Sequence, residues 1–141
     1  MKIFLDANIL VSVLNKEYPT FTYSSRILSL SGNPKFQVYT SPICLAIAFY
    51  FAEKKSGTSV AKNKMAILNS NLKVSLVGQE SVTKCLQNKK INDFEDGLEY
   101  YSALEAGCEC IITEDIKDFY FSEVEVLKAE DFIKKYFSYL I

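Results

Sequence analysis

The sequence predicts an α/β protein with a mainly parallel sheet covered by helices on both faces. Two observations carry this. Short apolar runs alternate with longer stretches of helical spacing along the whole chain. The runs Ile3-Phe4-Leu5 and Ile111-Ile112 are continuously apolar, as in strands buried on both faces. The length, 141 residues, suits one domain over 1–141, and no linker, repeat or low-complexity tract divides it.

In chain order, Lys2 to Leu5 reads as a buried strand closed by Asp6, and Ile9, Leu10, Val13 and Leu14 give residues 7–15 a helical stripe. Pro19 opens a second helix whose apolar positions Phe21, Ile27, Leu28 and Leu30 end before the Gly32-Asn33-Pro34 loop. Phe36 to Tyr39 is the second strand. Ser41 as N-cap with Pro42 in the first turn starts a helix that runs to about Lys55 and stops at Gly57. Thr58 to about Ser70 is helical, Lys73 to Val77 a third strand, and Gln79 to Gln87 a helix before a polar loop at Asn88 to Lys90. Asn92 and Glu95 have capping-box spacing, and the helix behind them ends at Ala106 before Gly107. Cys110 to Thr113 is the fourth strand, Glu125 to Leu127 a fifth, and residues 130–139 a closing helix.

Composition removes several chemistries. Hydrophobic residues make up 49% and charged residues 23%, which excludes disordered and coiled-coil classes. Histidine is absent, so Ser-His-Asp triads, Cys-His pairs and His-bearing zinc sites are excluded. The net charge of −1 lacks the basic excess of stable duplex-DNA binders. Cys44, Cys85, Cys108 and Cys110 show no Cys-x-x-Cys spacing and read as small core residues of a reducing cytoplasm. The opening Met-Lys-Ile-Phe-Leu meets an Asp at once, unlike a signal peptide. The apolar run from Pro42 to Ala52 is far short of the ~20 residues needed to span a bilayer. A cytoplasmic protein without a membrane partner is expected.

Ligands of open α/β sheets bind beyond the carboxyl ends of the strands. Three acidic groups fall there: Asp6 after the first strand, Asp93 and Asp96 at the start of the helix opening at Asn92, and Asp115 and Asp118 after the fourth strand. Each has a purely structural reading. Asp6 is a helix cap, Asp93, Glu95 and Asp96 complement a helix dipole, and Asp115 and Asp118 are turn residues. Their joint placement favours a site. Crowded carboxylates repel one another until a cation neutralises them, and oxygen-only donors favour Mg²⁺ or Mn²⁺.

The segments Ile3-Phe4-Leu5-Asp6-Ala7-Asn8-Ile9-Leu10, Asp96-Gly97-Leu98-Glu99-Tyr100-Tyr101-Ser102-Ala103 and Ile111-Ile112-Thr113-Glu114-Asp115-Ile116-Lys117-Asp118-Phe119 resemble those of PIN (PilT N-terminal) domains. The order and spacing also resemble that family, including its VapC-like toxin ribonucleases, over nearly the whole chain. The resemblance implies a three-layer α/β/α sandwich and Mg²⁺- or Mn²⁺-dependent cleavage of RNA. It also implies, for many bacterial members, a small antitoxin as partner. Carried over residue by residue, Asp6, Asp96 and Asp115 are the catalytic, metal-binding acids and Asp118 an auxiliary one. Asn8 and Thr113 are polar residues of the same pocket, with Asp93 beside them. One departure stands out: relatives with the full acidic set carry a Glu on the helix after the second strand, where this chain has Ile47. Glu53 lies nearly two turns further on. Glu114 adds negative charge where many relatives carry a basic or polar residue.

A non-catalytic PIN-fold module that binds RNA or protein is the alternative that Ile47 motivates. A receiver-type phosphoacceptor lacks its acidic pair after the first strand, since Asp6-Ala7 supplies one acid. Lys54, Lys55, Lys62, Lys64, Lys89 and Lys90 read as solvated surface rather than RNA contacts. The aromatic C-terminus (Phe132, Tyr136, Phe137, Tyr139) reads as core or homodimer contact. No P-loop or dinucleotide fingerprint is present.

Overall fold

The computed structural model describes residues 1–138. Five strands, β1 (Lys2–Leu5), β2 (Gln37–Thr40), β3 (Lys73–Val74), β4 (Cys110–Ile112) and β5 (Glu125–Leu127), form one sheet in the order β3-β2-β1-β4-β5. Every pairing is parallel. Ile3 and Phe4 of β1 pair with Val38 and Tyr39 on one side, and Ile3, Phe4 and Leu5 pair with Cys110, Ile111 and Ile112 on the other. Ile3, Phe4, Leu5, Ile111 and Ile112 are completely buried, which accounts for their continuous apolar runs.

Parallel neighbours need crossovers, and here they are the helices α1 (Ala7–Leu14) and α2 (Thr20–Ser29), α3 (Pro42–Ser56) and α4 (Thr58–Ser70), then α5 (Gln79–Gln87) and α6 (Phe94–Glu105). α7 (Ala129–Tyr136) closes the described chain. α1 packs on α2 and α3, α3 on α4, and α7 on α2, whereas α5 and α6 pack on each other. From β1 to β3 the chain steps one way along the sheet, then returns past β1 to β4. Right-handed crossovers place helices on opposite faces when the direction reverses. The expected three-layer α/β/α sandwich follows. The reversal also makes the gap between β1 and β4 the topological switch point, where ligand sites of such sheets form.

Local signals set most element ends. The Ser41 hydroxyl accepts from the Cys44 N–H at 3.1 Å with Pro42 in the first turn. Gly107 takes φ +80 after α6, a conformation other residues adopt with strain. Lys55 and Lys64 donate to the Asn15 and Leu14 carbonyls at 2.7 and 2.9 Å, so these lysines close the C-terminus of α1. β2 is shifted by one residue and β4 ends one residue early, and three elements differ more instructively from expectation. β3 ends at Val74 instead of Val77, because only Lys73 and Val74 pair with β2. The cap of α6 is Asp93 rather than Asn92, its carboxylate accepting from the Asp96 N–H at 3.0 Å. α7 ends at Tyr136, and the last expected helical residue, Tyr139, lies outside the described residues. Phe132 and Phe137 are buried, and the Tyr136 hydroxyl donates to Glu125 at 2.8 Å. All four cysteines are free and buried. No helix among the described residues is long and apolar enough to cross a membrane.

Candidate metal centre

β1 and β4 end side by side at the switch point, and each delivers a polar residue there. Asp6 follows β1 and Thr113 follows β4; the Asp6 N–H still bonds the Ile112 carbonyl at 3.0 Å, so the two ends are locked in register. Asp6 is 8% exposed. One of its oxygens accepts from the Ala7 N–H at 2.7 Å, so it does cap α1. The other accepts from the Thr113 hydroxyl at 2.8 Å and the Asn8 amide at 3.3 Å. The capping and site readings of Asp6 are therefore compatible, since its second oxygen belongs to a separate network.

That network is closed. Asn8 Nδ2 also reaches Thr113 Oγ1 at 3.0 Å and Asp115 at 3.3 Å, and Asn8 Oδ1 accepts from the Glu114 N–H at 3.1 Å. Thr113 Oγ1 in turn accepts from the Asp115 N–H at 3.1 Å. Asn8 and Thr113 thus tie the turn after β4 to the start of α1 and fix the relative positions of two carboxylates.

Above the network opens a cleft of about 420 Å³ whose polar lining is Asp6, Asn8, Glu17, Glu95, Asp96, Asp115 and Asp118, with Ala7, Val11, Ile47 and Phe51 as its apolar lining. None of the described lining residues is basic. The charge is felt. Partial burial, followed by the fields of Asp93, Asp118, Asp6 and Glu95, pushes the Asp96 carboxyl up to about 7. Glu95 and Asp118 are raised by desolvation and by neighbouring carboxylates in the same way. Among the residues singled out from sequence, the cleft therefore gathers Asp6, Asn8, Asp96, Asp115 and Asp118. Asp93 stands outside, as the α6 cap, and Thr113 lies fully buried beneath Asp6.

Ile47 lines this cleft, half-buried among the acids. Glu53 does not reach it and instead accepts from Thr58 at 2.8 Å. Glu114 does not add its charge to the cleft. Its carboxylate accepts from the Thr20 hydroxyl at 3.3 Å and from the Ala129 N–H at the start of α7 at 3.1 Å, where the helix dipole favours it.

Sequence reasoning missed Glu99 and Cys44. Glu99 lies one turn beyond Asp96 on α6, is 1% exposed, and neither carboxyl oxygen has a hydrogen-bond partner of acceptable geometry. Cys44 of α3 is fully buried beside it, and one ligand atom each from Asp6, Cys44 and Glu99 lie within 4.8 Å of one another. Burial, then the Asp6 charge, pushes the Glu99 carboxyl up to about 10. Burial, then the charges of Glu99 and Asp6, raises the Cys44 thiol well above its ordinary value. The available signal was a charged residue inside the apolar run Leu98-Glu99-Tyr100, since acids are almost never fully buried without a partner.

A parallel α/β/α fold with a carboxylate-lined cleft at its switch point defines the class: an α/β protein with an acid-lined candidate site. A family model described as PIN domain matches residues 2–117, and the chain belongs to the PIN domain family. It is 27% identical over 139 residues to Ribonuclease VapC1 of Aquifex aeolicus (strain VF5), covering 96% of this chain and 95% of that protein. VapBC-1 from nontypeable Haemophilus influenzae superposes with a TM-score of 0.70 at 18% identity, over 92% of this chain and 99% of that one. VapC20 of Mycobacterium tuberculosis, a Sarcin-Ricin loop cleaving toxin, superposes with a TM-score of 0.65 at 18% identity, over 86% and 98%. The fold expected from sequence is the fold of these proteins.

Proposed function

We propose that this protein is a divalent-metal-dependent endoribonuclease of the toxin–antitoxin type. The observation that carries the reading is the acid-lined cleft at the β1–β4 switch point, with no described basic residue to balance it. Its donors are oxygens, the set that suits Mg²⁺ or Mn²⁺. Asp6, Asp96 and Asp115 would hold the ion with Asp118 as auxiliary, and the ion would supply an activated water and neutralise charge on the scissile phosphate. The remaining work belongs to the chain itself. Asn8 and Thr113 hold the Asp6 and Asp115 carboxylates in place through hydrogen bonds that need no cation. Asp96, its carboxyl raised to about 7 by partial burial first and by its acidic neighbours second, is the cleft acid whose charge responds most to an approaching cation. The buried floor at Asp6 and Thr113 keeps bulk water from behind the reacting groups.

The VapBC structural neighbour supports an antitoxin as partner. An apolar groove between α2 and α4, lined by Val13, Leu14, Phe21, Leu28, Ile67 and Leu68, is the surface we assign to it. Ile47 in the cleft is the observation favouring the second reading, a binding module without activity. RNA cleavage assayed with Mg²⁺, Mn²⁺ or EDTA, for wild type and Asp96→Asn, separates the two. Metal-dependent cleavage lost in the variant supports the nuclease; no cleavage by wild type with either ion, in antitoxin-free protein, supports the module.

A further inference from the structure

The cleft is one acid short on α3, yet a second carboxylate is buried immediately behind it. Glu99 is 1% exposed and its carboxyl meets only Asp6 and Cys44, with no hydrogen bond of acceptable geometry to either oxygen, an arrangement that proteins avoid unless the group serves another purpose. It faces the Cys44 thiol and the Asp6 carboxylate, which come from two other elements, the first turn of α3 and the end of β1. The three ligand atoms lie within 4.8 Å of one another. The centre of such a triangle is at most about 2.8 Å from each corner, so small rotamer shifts reach the 2.0–2.3 Å of Zn–O and Zn–S bonds.

We propose that Asp6, Cys44 and Glu99 form an inner cation subsite that takes a thiophilic divalent ion of the Zn²⁺, Co²⁺ or Cd²⁺ class, with Asp6 shared between this subsite and the acidic cleft. The donor chemistry sets the ion class. One sulfur and two carboxylate oxygens select against Mg²⁺, which prefers oxygen alone, and suit borderline-soft ions. Cys44 and Glu99 supply two donors that the outer cleft does not use, and their protons leave to solvent as the Sγ and Oε bonds form. Asp6 connects the two sites, so an ion held behind it draws its carboxylate away from the cleft. Zn²⁺ therefore competes with Mn²⁺ although most of its donors differ. The subsite rests on the metal-centre reading only through Asp6.

The test is titration of the metal-stripped full chain with Co²⁺ and Cd²⁺, following thiolate-to-metal charge-transfer absorption. Mn²⁺ binding is read in parallel from the free-ion paramagnetic resonance signal. A saturating band at one equivalent is expected. Cys44→Ser should abolish it although Cys85, Cys108 and Cys110 remain, and Glu99→Gln should weaken Co²⁺ binding by at least roughly 10-fold, the loss that removing even an outer-sphere partner of a metal ligand causes. Asp115→Asn should weaken Mn²⁺ binding and leave the Co²⁺ band in place. Absence of a band in wild type, or a band that survives Cys44→Ser, overturns the subsite. If Mn²⁺ still binds in an Asp115-dependent way, the outer centre stands while the inner one falls. A Cys44-dependent band without Mn²⁺ binding leaves the inner site standing and removes the outer one.

Discussion

Replacing Glu99 by Gln isolates the cost of keeping an acid in the core. The native carboxyl titrates at about 10, raised by burial and by Asp6, against an ordinary value of 4.5. The folded state therefore retains a proton that the unfolded chain has released throughout the window from about 4.5 to about 10. Stability falls as pH rises through that window, by about 1.4 kcal/mol per unit at most. At pH 7 the accumulated cost is about 3 kcal/mol, and Glu99 is too deeply buried for solvent screening to reduce it greatly. Gln has the same shape, carries no ionisable proton, and donates N–H toward Asp6. Glu99→Gln should be near wild-type stability around pH 4.5, and about 3 kcal/mol more stable at pH 7. Urea unfolding in EDTA at half-unit pH intervals measures this from midpoints at constant m. Parallel stability–pH curves for the two proteins would mean that Glu99 titrates alike in the folded and unfolded states and that its burial costs nothing at pH 7.

Asp6→Asn should abolish metal-dependent RNA cleavage while Tm in EDTA stays within a few degrees, because one oxygen remains to cap α1 and one repulsive charge is gone; a large loss of Tm would make Asp6 chiefly a structural cap. Ile47→Glu places a carboxylate among the cleft acids and should tighten Mn²⁺ binding by about 1–3 kcal/mol, read by calorimetric titration. Unchanged affinity in a folded variant would show that the side chain at 47 does not reach the ion. Gly97→Ala should destabilise by about 1–3 kcal/mol, because a Cβ there would overlap Cys85 Sγ and lie 2.7 Å from Ile91 Cγ2. Chemical denaturation reports it, and Cys85→Ala in the same chain should recover part of the loss.

The features legible in the sequence were those written locally. Strands buried on both faces must be continuously apolar, and Ile3-Phe4-Leu5 and Ile111-Ile112 were. Ser41, Pro42 and Gly107 mark helix ends through bonds and dihedrals within a few residues. Because ligands gather where strands end at the switch point, Asp6 and Asp115 could be picked out before the strand order was known. The residues misread were those decided by distant partners. Glu114 is drawn from the cleft by Thr20 and Ala129, far away in the chain. Glu99 sits on a helix where a carboxylate ordinarily faces solvent, and only the docking of α6 beside Asp6 and Cys44 buries it. β3 is an edge strand held by two residues, too short for a pattern to delimit. At α6, Asn92 and Asp93 are adjacent capping types, and the choice between them depends on which side chain reaches the Asp96 N–H.

Whether the β1–β4 cleft holds a catalytic divalent ion can be seen in a crystal of the protein soaked in Mn²⁺. An anomalous difference peak is predicted between the carboxylates of Asp6, Asp96 and Asp115, lost when the crystal is grown from Asp115→Asn. Ordered Mn²⁺ found only outside the cleft, with these three acids making no contact to it, would rule out a metal centre at the switch point.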